Sequence, residues 1–212
     1  MRRFRMLPVL LLALVAAPSA ARAQLGVDFT APVDFTNSSW SLGWSFTVLN
    51  PFTVTALGFY DAGKDGLTES HDVGIFTSTG TLLTSATVTN SDPLTSFWRF
   101  ASITPFSLGV GTYVIAGVTG SESYPLQSPG GTLFSSDISY GTDWYTASGT
   151  LVFPTSSSAS DASNAAWLAA NFIGDTPNHA EAVVPEPATM TLLASGLVGL
   201  AASARRRRIK QS

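Results

Sequence analysis

The chain has 212 residues and no cysteine, with 12% charged and 45% hydrophobic residues and a formal net charge of −3. Lack of thiols excludes disulfides, thiolate metal centres, cysteine nucleophiles and thioether-linked haem, and the length excludes two full enzyme domains. Charge is unevenly spread: between positions 24 and 182, Lys64 and Arg99 face thirteen acids, leaving −11, and so acidic a body repels phosphate backbones, which excludes nucleic acid as a partner.

Arg2, Arg3 and Arg5 precede an apolar run from Met6 to Ala17 and a small-residue stretch ending Ala21-Arg22-Ala23. Positive flank, short apolar segment and A-x-A site predict a secretory signal peptide over 1–23, used by general secretion. The run is too short for a comfortable membrane span. A 24–182 body and a 183–212 tail follow.

Helical periodicity is nearly absent from the body, whereas runs rich in Thr, Val, Phe, Tyr and Trp recur between turn residues, which predicts an all-β fold. Leu42, Trp44, Phe46 and Val48 alternate with Gly43, Ser45 and Thr47, so four large apolar groups share one face of a strand that Asn50-Pro51 ends. Thr53 to Tyr60 is expected as the next strand, running into an acidic loop. Asp72 to Thr77 and Leu82 to Val88 flank Ser78-Thr79-Gly80 and read as a hairpin whose glycine takes positive φ. Further strands are expected at Ser96 to Ala101, with Trp98 and Phe100 together, and at Thr112 to Val118, buried on both faces. Thr119 to Gly149 reads as a loop-rich segment with scattered aromatics. A strand is expected at Thr150 to Phe153, a polar linker at Ser156 to Ser163, and a closing strand at Trp167 to Ile173. About eight strands in one domain indicate a two-sheet, jelly-roll-like β-sandwich.

The tail orders three parts: Val184-Pro185-Glu186-Pro187, uncharged residues from Ala188 to Ala204, then Arg205, Arg206, Arg207, Arg208, Ile209 and Lys210. Seventeen residues rising ~1.5 Å each make about 25 Å, a short single transmembrane helix over 188–204. The basic cluster stays cytoplasmic, leaving the body outside. This three-part tail resembles a PEP-CTERM sorting signal, carried by exported proteins of Gram-negative bacteria that make extracellular polysaccharide. The resemblance implies recognition by an exosortase, with Pro185, Glu186 and Pro187 as the recognition element and Arg205 to Arg208 as the stop-transfer signal. It also implies passage through the secretion machinery and transient anchoring in the inner membrane, with the cell surface or the extracellular space as destination. An unprocessed tail anchor is the alternative.

In the body, Leu42-Gly43-Trp44-Ser45-Phe46, Leu57-Gly58-Phe59-Tyr60-Asp61, His71-Asp72-Val73-Gly74-Ile75-Phe76 and Gly111-Thr112-Tyr113-Val114 resemble an uncharacterised exported β-sandwich domain found ahead of such tails. No catalytic motif accompanies that resemblance.

Three chemistries are weighed for the body. Asp61, Asp65 and Glu69 offer hard oxygens to a structural calcium ion, although their spacing is not that of an EF-hand, and a solvated turn explains the same residues. Tyr124, Tyr140, Trp144 and Tyr145 are candidates to hold sugar rings, whose apolar C–H faces pack on aromatics; the alternative is that they cover the ends of the sandwich. Paired carboxylates admit a glycoside hydrolase, but thirteen acids bring some pair near by chance. His71 has no orienting partner if strand alternation turns Asp72 away. The expectation is a non-enzymatic exported protein with a structural or adhesive role linked to exopolysaccharide. A carbohydrate-binding module, with or without calcium, is the alternative, and a glycoside hydrolase a minority one. No other cofactor is implied.

Overall fold

The computed structural model describes residues 23–127, 132–157 and 166–175. The expected signal peptide, apart from Ala23, and the expected 188–204 helix lie outside those residues, and among the described residues no helix is long and apolar enough to cross a membrane. One compact unit spans Ala21–Pro177.

The strands in chain order are β1 (Ala23–Leu25), β2 (Val27–Phe29), β3 (Asp34–Phe35), β4 (Trp40–Val48), β5 (Phe52–Tyr60), β6 (His71–Thr77), β7 (Leu82–Val88) and β8 (Leu94–Thr95). They continue as β9 (Trp98–Leu108), β10 (Gly111–Val118), β11 (Tyr124–Gln127), β12 (Thr132–Phe134), β13 (Ile138–Ala147), β14 (Ser156–Ser157), β15 (Ala166–Trp167) and β16 (Ala170–Asp175). The protein is all-β: a six-stranded sheet ordered β14-β13-β4-β10-β6-β7 packs on a five-stranded sheet ordered β1-β16-β5-β9-β8. Two smaller sheets, β15-β11-β3 and β12-β2, complete it. The chain crosses between the large sheets from β4 to β5, β5 to β6, β7 to β8 and β9 to β10, while β6 and β7 remain a hairpin in one sheet.

Alternation decides which side chains meet between the sheets. Leu42, Trp44, Phe46 and Val48 are all at most 2% exposed, and Trp44 reaches the opposite sheet, stacking on Phe172 at 6.2 Å and donating from Nε1 to the Ala170 carbonyl at 2.8 Å. The opposite face of β4 is crowded by backbone. A Cβ on Gly43 would stand 1.8 Å from the Ile115 carbonyl oxygen, so that position admits no side chain. The β6–β7 hairpin forms as expected, with Gly80 at φ +95° and its N–H donating to the Thr77 carbonyl.

Three expectations are corrected. Strand β9 runs on to Leu108 instead of ending at Ala101, because a register shift opposite Val54 and Ala56 lets Pro105, which has no N–H to give a ladder, sit within it. The segment from Thr119 to Gly149 is not mainly loop: it holds β11, β12 and the ten-residue β13, which pairs along the whole of β4. Thr150 to Phe153 is not a strand. Its backbone N–H groups turn to nearby hydroxyls, Thr150 to Ser148 Oγ at 3.1 Å and Val152 to Ser41 Oγ at 3.4 Å. The resulting strap lies on the outer face of the six-stranded sheet, where Phe153 meets Phe76 and Trp144.

Candidate functional site

The acid-rich turn after β5 serves to hold the fold. Asp61 is fully buried and accepts from Arg99 Nε at 2.7 Å and from the Gly66 N–H at 3.1 Å. Arg99 also donates to the carbonyls of Asn90 at 2.8 Å and Asp92 at 3.1 Å. Lys64, at the end of a short 3₁₀ turn, places its ammonium 3.7 Å above the Phe97 ring. Both cations of the body are thus engaged within one corner. Glu69 turns elsewhere, accepting from the N–H and hydroxyl of Ser121, and these bonds hold its carboxyl below the usual range. Asp61, Asp65 and Glu69 are not brought together, and among the described residues no three His, Asp or Glu side chains gather to hold a metal.

His71 is 1% exposed, stacked on Phe59 with ring centroids 3.8 Å apart. Its Nδ1 bonds the Val118 carbonyl at 2.8 Å and its buried Nε2 has no partner. Nδ1 therefore carries the proton of a neutral imidazole, since a carbonyl only accepts. Burial outweighs the acids Glu69, Glu122 and Asp72 and lowers its pKa. A lowered folded-state pKa means that the unfolded chain binds the proton first, so this contribution to stability is intact above about pH 6.5 and is lost as pH falls below it. The melting temperature should accordingly drop between pH 7 and 5 more steeply in the full-length protein than in a His71→Phe variant; equal slopes would contradict this.

A second buried ionisable group is Tyr60, whose hydroxyl donates to Asp34; burial first and the Asp34 carboxylate second push its pKa well above the ordinary phenol range.

A concave feature among the described residues lies at one end of the sandwich. A cleft of about 190 Å³ is lined by Asn37, Trp40, Leu42, Tyr124, Tyr145 and Trp167. Trp40 is the first residue of β4 and shares the even-numbered inner face with Leu42, so the core face continues into the cleft rim. Tyr145 on β13 pairs directly with Leu42, and Trp167 on β15 pairs with Leu126 on Tyr124's own strand, β11. Their rings meet edge to face, Trp40 with Tyr145 at 80° and Tyr145 with Trp167 at 86°, giving the cleft angled aromatic walls. Asn37 fixes the rim: its Oδ1 accepts from Trp40 Nε1 at 2.8 Å and from the Tyr124 hydroxyl at 3.1 Å. Tyr124 itself is 2% exposed, and burial raises its pKa.

Of the four aromatics expected to act together, the cleft unites Tyr124 and Tyr145 and excludes the other two. Tyr140 turns into the core, stacked on Trp44 at 6.3 Å and against Phe134 at 5.0 Å. Trp144 lies on the opposite face of β13, beneath the strap. A bulge explains the division. Tyr140 pairs with Phe46 and Asp143 with Trp44, three residues of β13 spanning two of β4. That extra residue brings Tyr140 and Tyr145, an odd number of positions apart, onto the same inner side. Trp40 and Trp167 are the members that the loop-based expectation missed. Parity with Leu42 was the available signal for Trp40, whereas the alanines around Trp167 carry no such pattern.

A family model described as a domain of unknown function (DUF4082) matches residues 29–167, and one described as the PEP-CTERM protein-sorting motif matches residues 183–208. The first spans every lining residue of the cleft. No curated protein and no solved structure matches the chain.

Proposed function

Because the chain belongs to the DUF4082 family and carries behind that domain a PEP-CTERM motif, which marks an exported protein sorted by an exosortase, we propose that its body acts outside the cell as a structural or adhesive component linked to exopolysaccharide. The observation that carries this reading is the order of parts, a folded all-β unit at Ala21–Pro177 followed at once by the sorting motif at 183–208. The motif is recognised by the exosortase, the protein is held at the membrane during sorting, and the body is what is delivered. The proposed role is not catalytic. Replacing Pro185, Glu186 and Pro187 together by alanine tests the delivery step: the protein is expected to accumulate with membranes and to disappear from the matrix fraction. Unchanged recovery from the matrix would overturn it.

The aromatic cleft favours a second, compatible reading, in which the body grips polysaccharide directly as a carbohydrate-binding module. Half-buried Trp40, Tyr145 and Trp167 line the cleft, and sugar C–H faces pack on such rings. At about 190 Å³ the cleft is below the roughly 300–1,000 Å³ of drug-sized pockets, which suits one ring of a glycan and not an extended stretch. Tyr140 and Trp144, engaged elsewhere, take no part in it.

A further inference from the structure

The polar atoms of the cleft are unbalanced. Asn37 Oδ1 accepts three donors, the Ser38 N–H at 2.7 Å, Trp40 Nε1 at 2.8 Å and the Tyr124 hydroxyl at 3.1 Å, so both of its lone pairs are taken. Two of those three groups donate only, which fixes the amide's orientation and leaves Nδ2 as its outer atom. Asn37 Nδ2 and Trp167 Nε1 have no hydrogen-bond partner among the described residues. The Tyr145 hydroxyl, which can donate or accept, has none there either. The cleft therefore sets two groups that only donate, Asn37 Nδ2 and Trp167 Nε1, beside the hydroxyls of Tyr124 and Tyr145, between aromatic walls.

A complementary ligand presents an acceptor to the two donor-only groups and apolar surface to the aromatic walls. A carbonyl oxygen beside a methyl group supplies both in one unit, whereas a hydroxyl brings no apolar surface of its own. A carboxylate is an acceptor too, but no cation lines this cleft. Arg99 is engaged by Asp61 and Lys64 by Phe97, and the body carries −11. An anionic sugar is thus opposed by the field of the whole body.

We infer that the cleft takes the acetyl group of an uncharged, acetylated sugar, its carbonyl oxygen accepting from Asn37 Nδ2 and Trp167 Nε1 and its methyl packing in the angle between Trp40, Tyr145 and Trp167. The inference rests on the carbohydrate reading of this cleft and names its ligand class. The acetyl group has two sources, the acetamide of an amino sugar and the ester of an O-acetylated polysaccharide.

The test is retention by the full-length protein, purified in detergent, on four probes: N-acetylated chitooligosaccharide, acetylated glucomannan before and after mild alkali, unsubstituted β-glucan, and polygalacturonate. The expected result is retention on an acetylated probe and none on the other two. Retention on chitooligosaccharide assigns the acetamide, and alkali-sensitive retention on glucomannan assigns the ester. Asn37→Asp keeps the acceptor for Trp40 and Tyr124 but removes the outer donor, and should weaken retention of the acetylated probe about tenfold. Equal retention of unsubstituted glucan, preference for polygalacturonate, or an unaffected Asn37→Asp variant would overturn the inference and leave the carbohydrate reading standing. Failure to retain any of the four would overturn both.

Discussion

Arg99→Ala is expected to lower stability by about 3–5 kcal/mol, because it strands a fully buried carboxylate. Asp61 has no route to water, and without the guanidinium its remaining bond is the one from the Gly66 N–H. The loss should exceed that of an exposed ion pair, worth about 0–1 kcal/mol. It should also spread, since Arg99 ties the carbonyls of Asn90 and Asp92 to the turn after β5. A paired replacement separates desolvation from packing. Asp61→Asn with Arg99→Met removes both charges together and should retain more stability than Arg99→Ala alone. Denaturant unfolding of the full-length protein measures both; a loss under 1 kcal/mol for Arg99→Ala, or a double variant worse than the single one, would contradict the assignment of Asp61 as a buried anchor.

The second large effect belongs to Trp44. It is wholly buried among Phe46, Phe134, Tyr140 and Phe172, and its indole N–H bridges the two large sheets through the Ala170 carbonyl. Trp44→Ala leaves a cavity that neighbouring aromatic rings cannot fill by small movements, and should cost about 3–5 kcal/mol. Trp44→Phe keeps most of the apolar contact and leaves the Ala170 carbonyl without its donor, for about 1–3 kcal/mol. At about 2–4 °C per kcal/mol in a domain of this size, the two variants should separate clearly in thermal melts. Equal melting points for wild type and Trp44→Phe would mean that the bridge contributes nothing.

These two residues also show what alternation reveals. Trp44 belongs to a run in which every second side chain is large and apolar, so its strand, its face and its burial followed from period alone. The same was true of the β6–β7 hairpin and of β10. Asp61 carried no such signal. An acidic residue in an acid-rich loop reads as a solvated turn or a cation site, and only the fold shows that Arg99, across the sheet on β9, meets it.

The aromatic end of the molecule was half legible for a related reason. Thr119 to Gly149 is rich in Gly, Ser and Pro, so propensity argues against strands there. Strand β13 forms regardless because β4 offers it a complete ladder and its inner residues a packed core, a tertiary gain that local preference does not contain. Its bulge then reverses the face on which later residues fall, which no count of periods anticipates. Composition therefore groups Tyr124 and Tyr145, which line one cleft, with Tyr140 and Trp144, which the bulge and the strap assign to other surroundings.

In the proposed function the body works after its tail has done its task. Intact-mass measurement of the protein recovered from outside the cell addresses this directly. It predicts a polypeptide lacking the signal peptide and ending close to Pro185. A secreted form still ending at Ser212 would contradict it and make the last thirty residues a lasting membrane anchor.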